Sequence, residues 1–146
     1  MALEDNNYCL NSTSISIERL NGEIIMISFE SGDYFSCFGV ASDVLTLISR
    51  RVSTSQIKEV LLNKFGSEFQ VDQVNSFIQE CLSQNIIVPN TNVTSLDTQL
   101  PDDYDKSRWN APILEKFSEY NDLLLIDPIH DSSLEGWPNK LDQNKQ

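Results

Sequence analysis

The sequence predicts an α+β domain: a three-stranded antiparallel β-meander, then three α-helices, with an extended C-terminal tail. Two changes of pattern carry this prediction. Between Ile15 and Phe38 apolar residues alternate or cluster in short bursts, broken by Asn21-Gly22 and by Ser31-Gly32-Asp33, whereas from Val40 to Leu82 they recur at helical spacing. After Pro89 the chain turns polar, acidic and aperiodic. The folded domain is therefore expected over residues 15–89, preceded by an arm over 1–14.

Each element has its own local reason. Ile15-Ser-Ile17, Ile24-Ile-Met-Ile27-Ser-Phe29 and Asp33-Tyr-Phe-Ser-Cys37 read as strands, and Asn-Gly and Gly-Asp supply the positive φ that tight hairpin turns require. Val40, Val44, Leu45, Leu47 and Ile48 form one stripe of a helix over 40–50, closed by the favourable charge of Arg50-Arg51. Ser53-Thr-Ser-Gln56 is a capping-box pattern. It starts a second helix that runs to Lys64, buries Ile57, Val60, Leu61 and Phe65, and stops at Gly66. Asp72 is placed to cap a third helix with the stripe Val74, Phe77, Ile78, Cys81 and Leu82. Ile86-Ile-Val88 forms a short exit segment stopped by Pro89.

Composition excludes several functions. The chain has 146 residues and a net charge of −12, so its surface repels phosphate backbones and anionic lipid; no nucleic-acid or membrane partner is expected. Cys9, Cys37 and Cys81 are odd in number and too widely spaced for a redox or zinc pair. Acid near the start, where a signal peptide needs base, and the lack of a long apolar run give a cytoplasmic expectation.

Catalytic signals are weak. The one histidine lies in Asp127-Pro-Ile-His130-Asp131, where two flanking carboxylates could hold a metal or form an acid/base pair, but the cluster reads rather as a solvated turn. Cys37 and Cys81 fall on apolar positions, where a free thiol behaves as a small hydrophobe. No Gly-rich phosphate loop or nucleophile elbow occurs. An enzyme is not expected, and neither a cofactor nor a metal is called for.

Three strands and three helices suit a winged helix-turn-helix-like domain, for which a transcriptional regulator or DNA adaptor is the alternative reading. The third helix, Val71 to Gln84, opposes it with two acids and no Lys or Arg. Peptide binding fits better, because the outer strand of a meander presents unpaired N–H and C=O groups to an added strand.

The run Arg19-Leu-Asn-Gly-Glu-Ile-Ile-Met-Ile-Ser-Phe-Glu-Ser-Gly-Asp-Tyr-Phe, the apolar helix after it, the Ser53 helix and the Phe69 to Leu82 helix ending in Asn85-Ile-Ile-Val together resemble the PqqD family. The likeness spans roughly 15–88. Its members are recognition elements for ribosomally made, post-translationally modified peptides. The resemblance implies that a precursor's leader peptide pairs with the third strand, packs on the third helix, and is presented to a modifying enzyme such as a radical SAM protein, a cyclase or a protease. Carried onto this sequence, Tyr34, Phe35, Ser36 and Cys37 would offer the pairing edge, and Val74, Asn75, Ile78 and Leu82 the pocket wall.

Residues 90–108 have the composition of an acidic linker, and the tail over 109–146 is a departure from the family's usual size. Its bulky apolar residues need a covering surface. Trp109, Pro112 and Leu114 resemble the leader signature of lasso peptide precursors, with Trp in place of the usual Tyr. A helix is the other reading, with Asn110 as cap and Ile113, Phe117, Tyr120 and Leu124 on one face. In either form Trp109, Pro112, Leu114 and Phe117 are candidates for covering the groove in cis or for docking on a partner enzyme.

Overall fold

The computed structural model describes residues 7–117. The chain divides between Lys116 and Phe117 into two compact units, and Phe117 is the one described residue of the second. The fold is α+β, with three α-helices and sheets of four and two strands.

The larger sheet begins with β2 (Ile15–Leu20), β3 (Glu23–Ser28) and β4 (Tyr34–Phe38), after the short β1 (Tyr8–Leu10). β2 and β3 pair antiparallel with Leu20 opposite Glu23, leaving Asn21 and Gly22 as a two-residue turn. Both have positive φ, 53° and 79°, which is the geometry Asn-Gly favours. β3 and β4 pair antiparallel with Ile24 opposite Cys37 and Met26 opposite Phe35. Alternation puts Ile24, Met26, Phe35 and Cys37 into the core.

α1 (Val40–Ser49) is more deeply buried than a surface stripe requires. Ser42 and Asp43 are buried along with Val40, Ala41, Val44, Leu45, Leu47 and Ile48. It is the central element, and its polar side is covered by a later part of the chain. α2 (Thr54–Phe65) begins where expected, with Ser53 Oγ accepting from the Gln56 N–H at 3.3 Å, and ends at Gly66 with φ 59°. It buries Ile57, Leu61 and Phe65, while Val60 is half-buried. A single 3₁₀ turn, Gly66–Glu68, leads to α3 (Val71–Ser83), which buries Val74, Phe77, Ile78 and Cys81. Asp72 does not cap α3. Gln70 holds the cap position without a side-chain bond, and Asp72 lies in the first turn, where its charge still suits the helix dipole.

The arm and the exit segment find each other: β1 pairs antiparallel with β5 (Ile87–Pro89), Cys9 opposite Val88. Residues 90–114 contain no helix or strand, yet they are fastened along the domain at several points. Ser95 N–H donates to the Arg51 carbonyl, and the Arg50 guanidinium donates to the Asp97 and Gln99 carbonyls. β6 (Glu115–Phe117) then lies beside β4, giving the order β2-β3-β4-β6. The sheet thus has one strand more than the sequence pattern predicts. No helix among the described residues is long and apolar enough to cross a membrane.

Candidate peptide-binding site

The edge of β4 is the predicted pairing edge, and all four residues expected to form it, Tyr34, Phe35, Ser36 and Cys37, lie in that strand. It is not free. β4 has β3 on one side and β6 on the other, so the chain's own downstream segment supplies the added strand. Lys116 Nζ approaches Asp33 Oδ2 at 3.5 Å, fixing β6 against the start of β4.

Upstream of β6 the segment is extended, not helical. Ala111, Ile113 and Glu115 face solvent, while Asn110, Pro112 and Leu114 turn inward. That period of two belongs to a strand-like chain, whereas the helix reading needs Ile113 and Phe117 on one face. Tyr120, Leu124 and His130 lie outside the described residues.

Trp109 anchors the segment at the other end. Its indole meets Phe65 and Phe69 edge-on, with centroids 5.2 and 5.6 Å apart. Nε1–H donates to Gln73 Oε1 at 2.8 Å, and its backbone N–H donates to Glu68 Oε1 at 2.9 Å. The Trp109 N–H, together with the neighbouring Arg108 guanidinium, holds the Glu68 carboxyl below its usual range. The cradle is thus built where α2 ends and α3 begins. One residue on, Asn110 Oδ1 accepts from the Val40 N–H at 3.1 Å and caps α1, whose own cap residue, Gly39, has no side chain to do so. A Cβ on Gly39 would stand 2.6 Å from that oxygen.

Among the predicted wall residues, Val74 and Ile78 are in the main core cluster and Leu82 packs against it half-buried. Asn75 is exposed and lines a shallow polar groove with Ser76, Gln79, Glu80 and Ser83. Trp109 and Leu114 pack on the same core. Pro112 is buried, and Phe117 ends β6.

A second set of contacts lies outside this groove. Asp43 Oδ1 accepts from Arg19 Nη2 at 3.1 Å and has Lys106 Nζ at 3.7 Å, and its Oδ2 accepts from the Tyr104 hydroxyl at 2.7 Å. Arg19 also grips both oxygens of Asp103, at 2.9 and 2.7 Å, and donates to Thr46 Oγ1. Lys106 Nζ, with 7% of its side chain exposed, sits 3.5 Å above the Tyr104 ring. Two cations and two carboxylates balance. Burial raises the Asp43 carboxyl above the usual value despite these partners, whereas the Arg19 bonds hold Asp103 well below it. Burial and the bond to Asp43 push the Tyr104 phenol up, and burial lowers Lys106.

Sequence patterns pass over Phe69, Gln73, Glu68 and Asp43 as binding residues. Asp43 carried a signal: a carboxylate inside a run as apolar as Val40–Ile48 has to be paired if it is buried. Among the described residues no group of three or more His, Cys, Asp or Glu side chains could hold a metal ion. Burial raises the Cys37 thiol to about 12 and Cys81 further, which leaves both as unreactive core residues.

Compared with known proteins, the chain matches no family model, no curated protein and no solved structure.

Proposed function

We propose that this protein is a non-enzymatic peptide-recognition adaptor. It takes an extended peptide, the leader of a ribosomally made precursor, as an added strand on β4 and presents it to a separate tailoring enzyme. In this reading the first unit is a winged helix-turn-helix-like domain of the PqqD kind, with β2, β3 and β4 as its wing. One observation carries it: β6 lies beside β4 while Trp109, six residues before its start, seats its ring against Phe65 and Phe69 and bonds to Gln73, so this edge accepts a strand together with a side-chain anchor. Backbone pairing supplies affinity in such sites, and the flanking pocket supplies selectivity.

The test frees the edge in the full chain. Successive residues of a strand direct their N–H groups to opposite sides, so the pair Glu115→Pro, Lys116→Pro removes at least one donor that β6 aims at β4. A labelled free peptide with the sequence of residues 107–117 should then bind saturably in the micromolar range, and Ser36→Pro in the same background, which removes an N–H directed away from β3, should weaken it more than tenfold. Absence of binding to the folded edge-freed protein would overturn the reading.

A further inference from the structure

We propose that the charge cluster around Asp43 is a latch that keeps the chain's own residues 109–116 in the groove and thereby sets how readily another peptide gains the site. This rests on the strand-addition reading and adds its regulation.

The geometry separates the latch from the groove. The occupant's groove contacts are made by Trp109, Asn110, Pro112, Leu114 and β6, whereas the hydrogen bonds and ion pairs of Asp103, Tyr104 and Lys106 go elsewhere, and the Tyr104 ring meets β4 at its last residue, Phe38. They bind instead to Arg19 on β2 and Asp43 on α1. The approach is close: a Cβ on Gly22 would lie 2.7 Å from Tyr104 Cβ, so the β2–β3 turn holds a glycine directly under this ring. Phe38 packs on the other side, its ring centroid 5.6 Å from that of Tyr104.

A latch at 103–106 shortens the tether. With it closed, Trp109 is three residues from a fixed point at Lys106; with it open, the nearest upstream fastening is Leu100, packed against the core, nine residues away. The effective concentration of a tethered ligand falls with about the −3/2 power of tether length, so opening should lower it roughly fivefold, and more once the ordered approach of the chain is lost. A competing peptide gains by the same factor.

The charges facing Asp43 are Arg19 from β2 and Lys106 from the irregular segment, with Tyr104 donating as a neutral phenol. Asp103→Asn and Tyr104→Phe each remove one grip while leaving Arg19 and Lys106 to neutralise Asp43, so the core charge stays paired. Neither variant alters a groove residue.

The experiment uses the full chain as wild type, Asp103→Asn, Tyr104→Phe, and the edge-freed variant. Two measurements are made on each: hydrogen exchange of the β4 amides without peptide, and anisotropy titration with the labelled 107–117 peptide. Both latch variants should exchange the amides of Tyr34, Ser36 and Phe38, which face away from β3, at least threefold faster than wild type, with the β3-facing amides of Phe35 and Cys37 and the protection of α2 and α3 unchanged. Both should also bind the peptide at least threefold tighter than wild type, at protein concentrations over which the affinity is constant. Wild-type exchange and wild-type affinity in both variants would overturn the latch, even if the edge-freed variant binds well. Faster β4 exchange with no peptide binding to any variant would support the latch and overturn the strand-addition reading instead. If one latch variant unfolds, the other decides.

Discussion

Asn110 Oδ1 accepts a hydrogen bond from the Val40 backbone N–H at 3.1 Å, so the first turn of the central helix is capped by a residue 70 positions downstream. Capping is usually local, with the residue before the helix folding its oxygen back onto the second or third N–H. Here Gly39 occupies that place, and its φ of 70° would strain any other residue. The stability of α1 is therefore coupled to occupancy of the groove by residues 109–116.

Asn110→Ala should destabilise the protein by about 1 kcal/mol, the ordinary worth of a helix cap. Gly39→Ala should cost more, because the added Cβ meets Asn110 at 2.6 Å as well as straining the backbone. Part of that cost is expulsion of the same cap. The double variant should consequently fall short of the sum of the singles by about 0.5 kcal/mol or more, as expected of residues in contact. Urea unfolding of the four proteins measures the coupling, and strict additivity would show that Gly39 and Asn110 act independently.

The Trp109 anchor separates packing from hydrogen bonding. Trp109→Ala loses two edge-on ring contacts and the bond to Gln73, a cost of about 2 kcal/mol for a half-buried aromatic. Gln73→Ala loses one exposed bond and should cost under about 1 kcal/mol. Unfolding midpoints distinguish them, and equal losses would mean that the ring contacts contribute little.

The three strands, both turns and the three helices of residues 15–89 are legible in sequence because each rests on short-range signals: Asn21-Gly22, the Ser53 cap, the stop at Gly66, and stripes such as Val74, Phe77, Ile78 and Cys81. What is not legible depends on partners far along the chain. β6 is three residues long and becomes a strand by lying on β4. From Trp109 to Phe117 two periods coexist, Ile113 and Phe117 for a helix against Asn110, Pro112 and Leu114 for an extended chain, and contact with the domain selects the second. The linker-like composition of 90–108 is real, but Asp103 and Tyr104 within it meet Arg19 and Asp43, whose own roles as partners no local pattern displays.

Arg51 shows a local cost. It follows α1 with φ 65°, a left-handed conformation in which its N–H donates to the Ile48 carbonyl while Val52 N–H donates to Leu47. Glycine adopts this place at a helix end without steric penalty. Arg51→Gly should therefore stabilise the protein by about 0.5–1 kcal/mol in chemical denaturation, although glycine is destabilising at most other helical positions. A loss of stability would indicate that the Arg51 side chain makes a compensating contribution.

The latch also titrates, with two carboxylates whose pKa values are shifted in opposite directions. Asp103, held below its ordinary value of 3.8 by the Arg19 bonds, contributes stability that is present above that value and is lost as pH falls through its lower folded value. Asp43, raised above 3.8 by burial, takes up a proton more readily in the folded protein, so its contribution improves as pH falls through its folded value. As pH falls through the raised folded value of Asp43 its effect should oppose the general acid destabilisation, and below the ordinary carboxylate value of 3.8 loss of the Asp103 contribution should dominate and loosen the segment. Asp103→Asn removes the second effect and leaves the first. Its urea midpoint should lie below that of wild type at pH 7, and the two should converge as the pH is lowered from 4 toward 2. Parallel profiles over that range would mean that the Arg19–Asp103 pair carries no stability difference between the folded and unfolded chain, and that Tyr104 and Lys106 hold the segment without it.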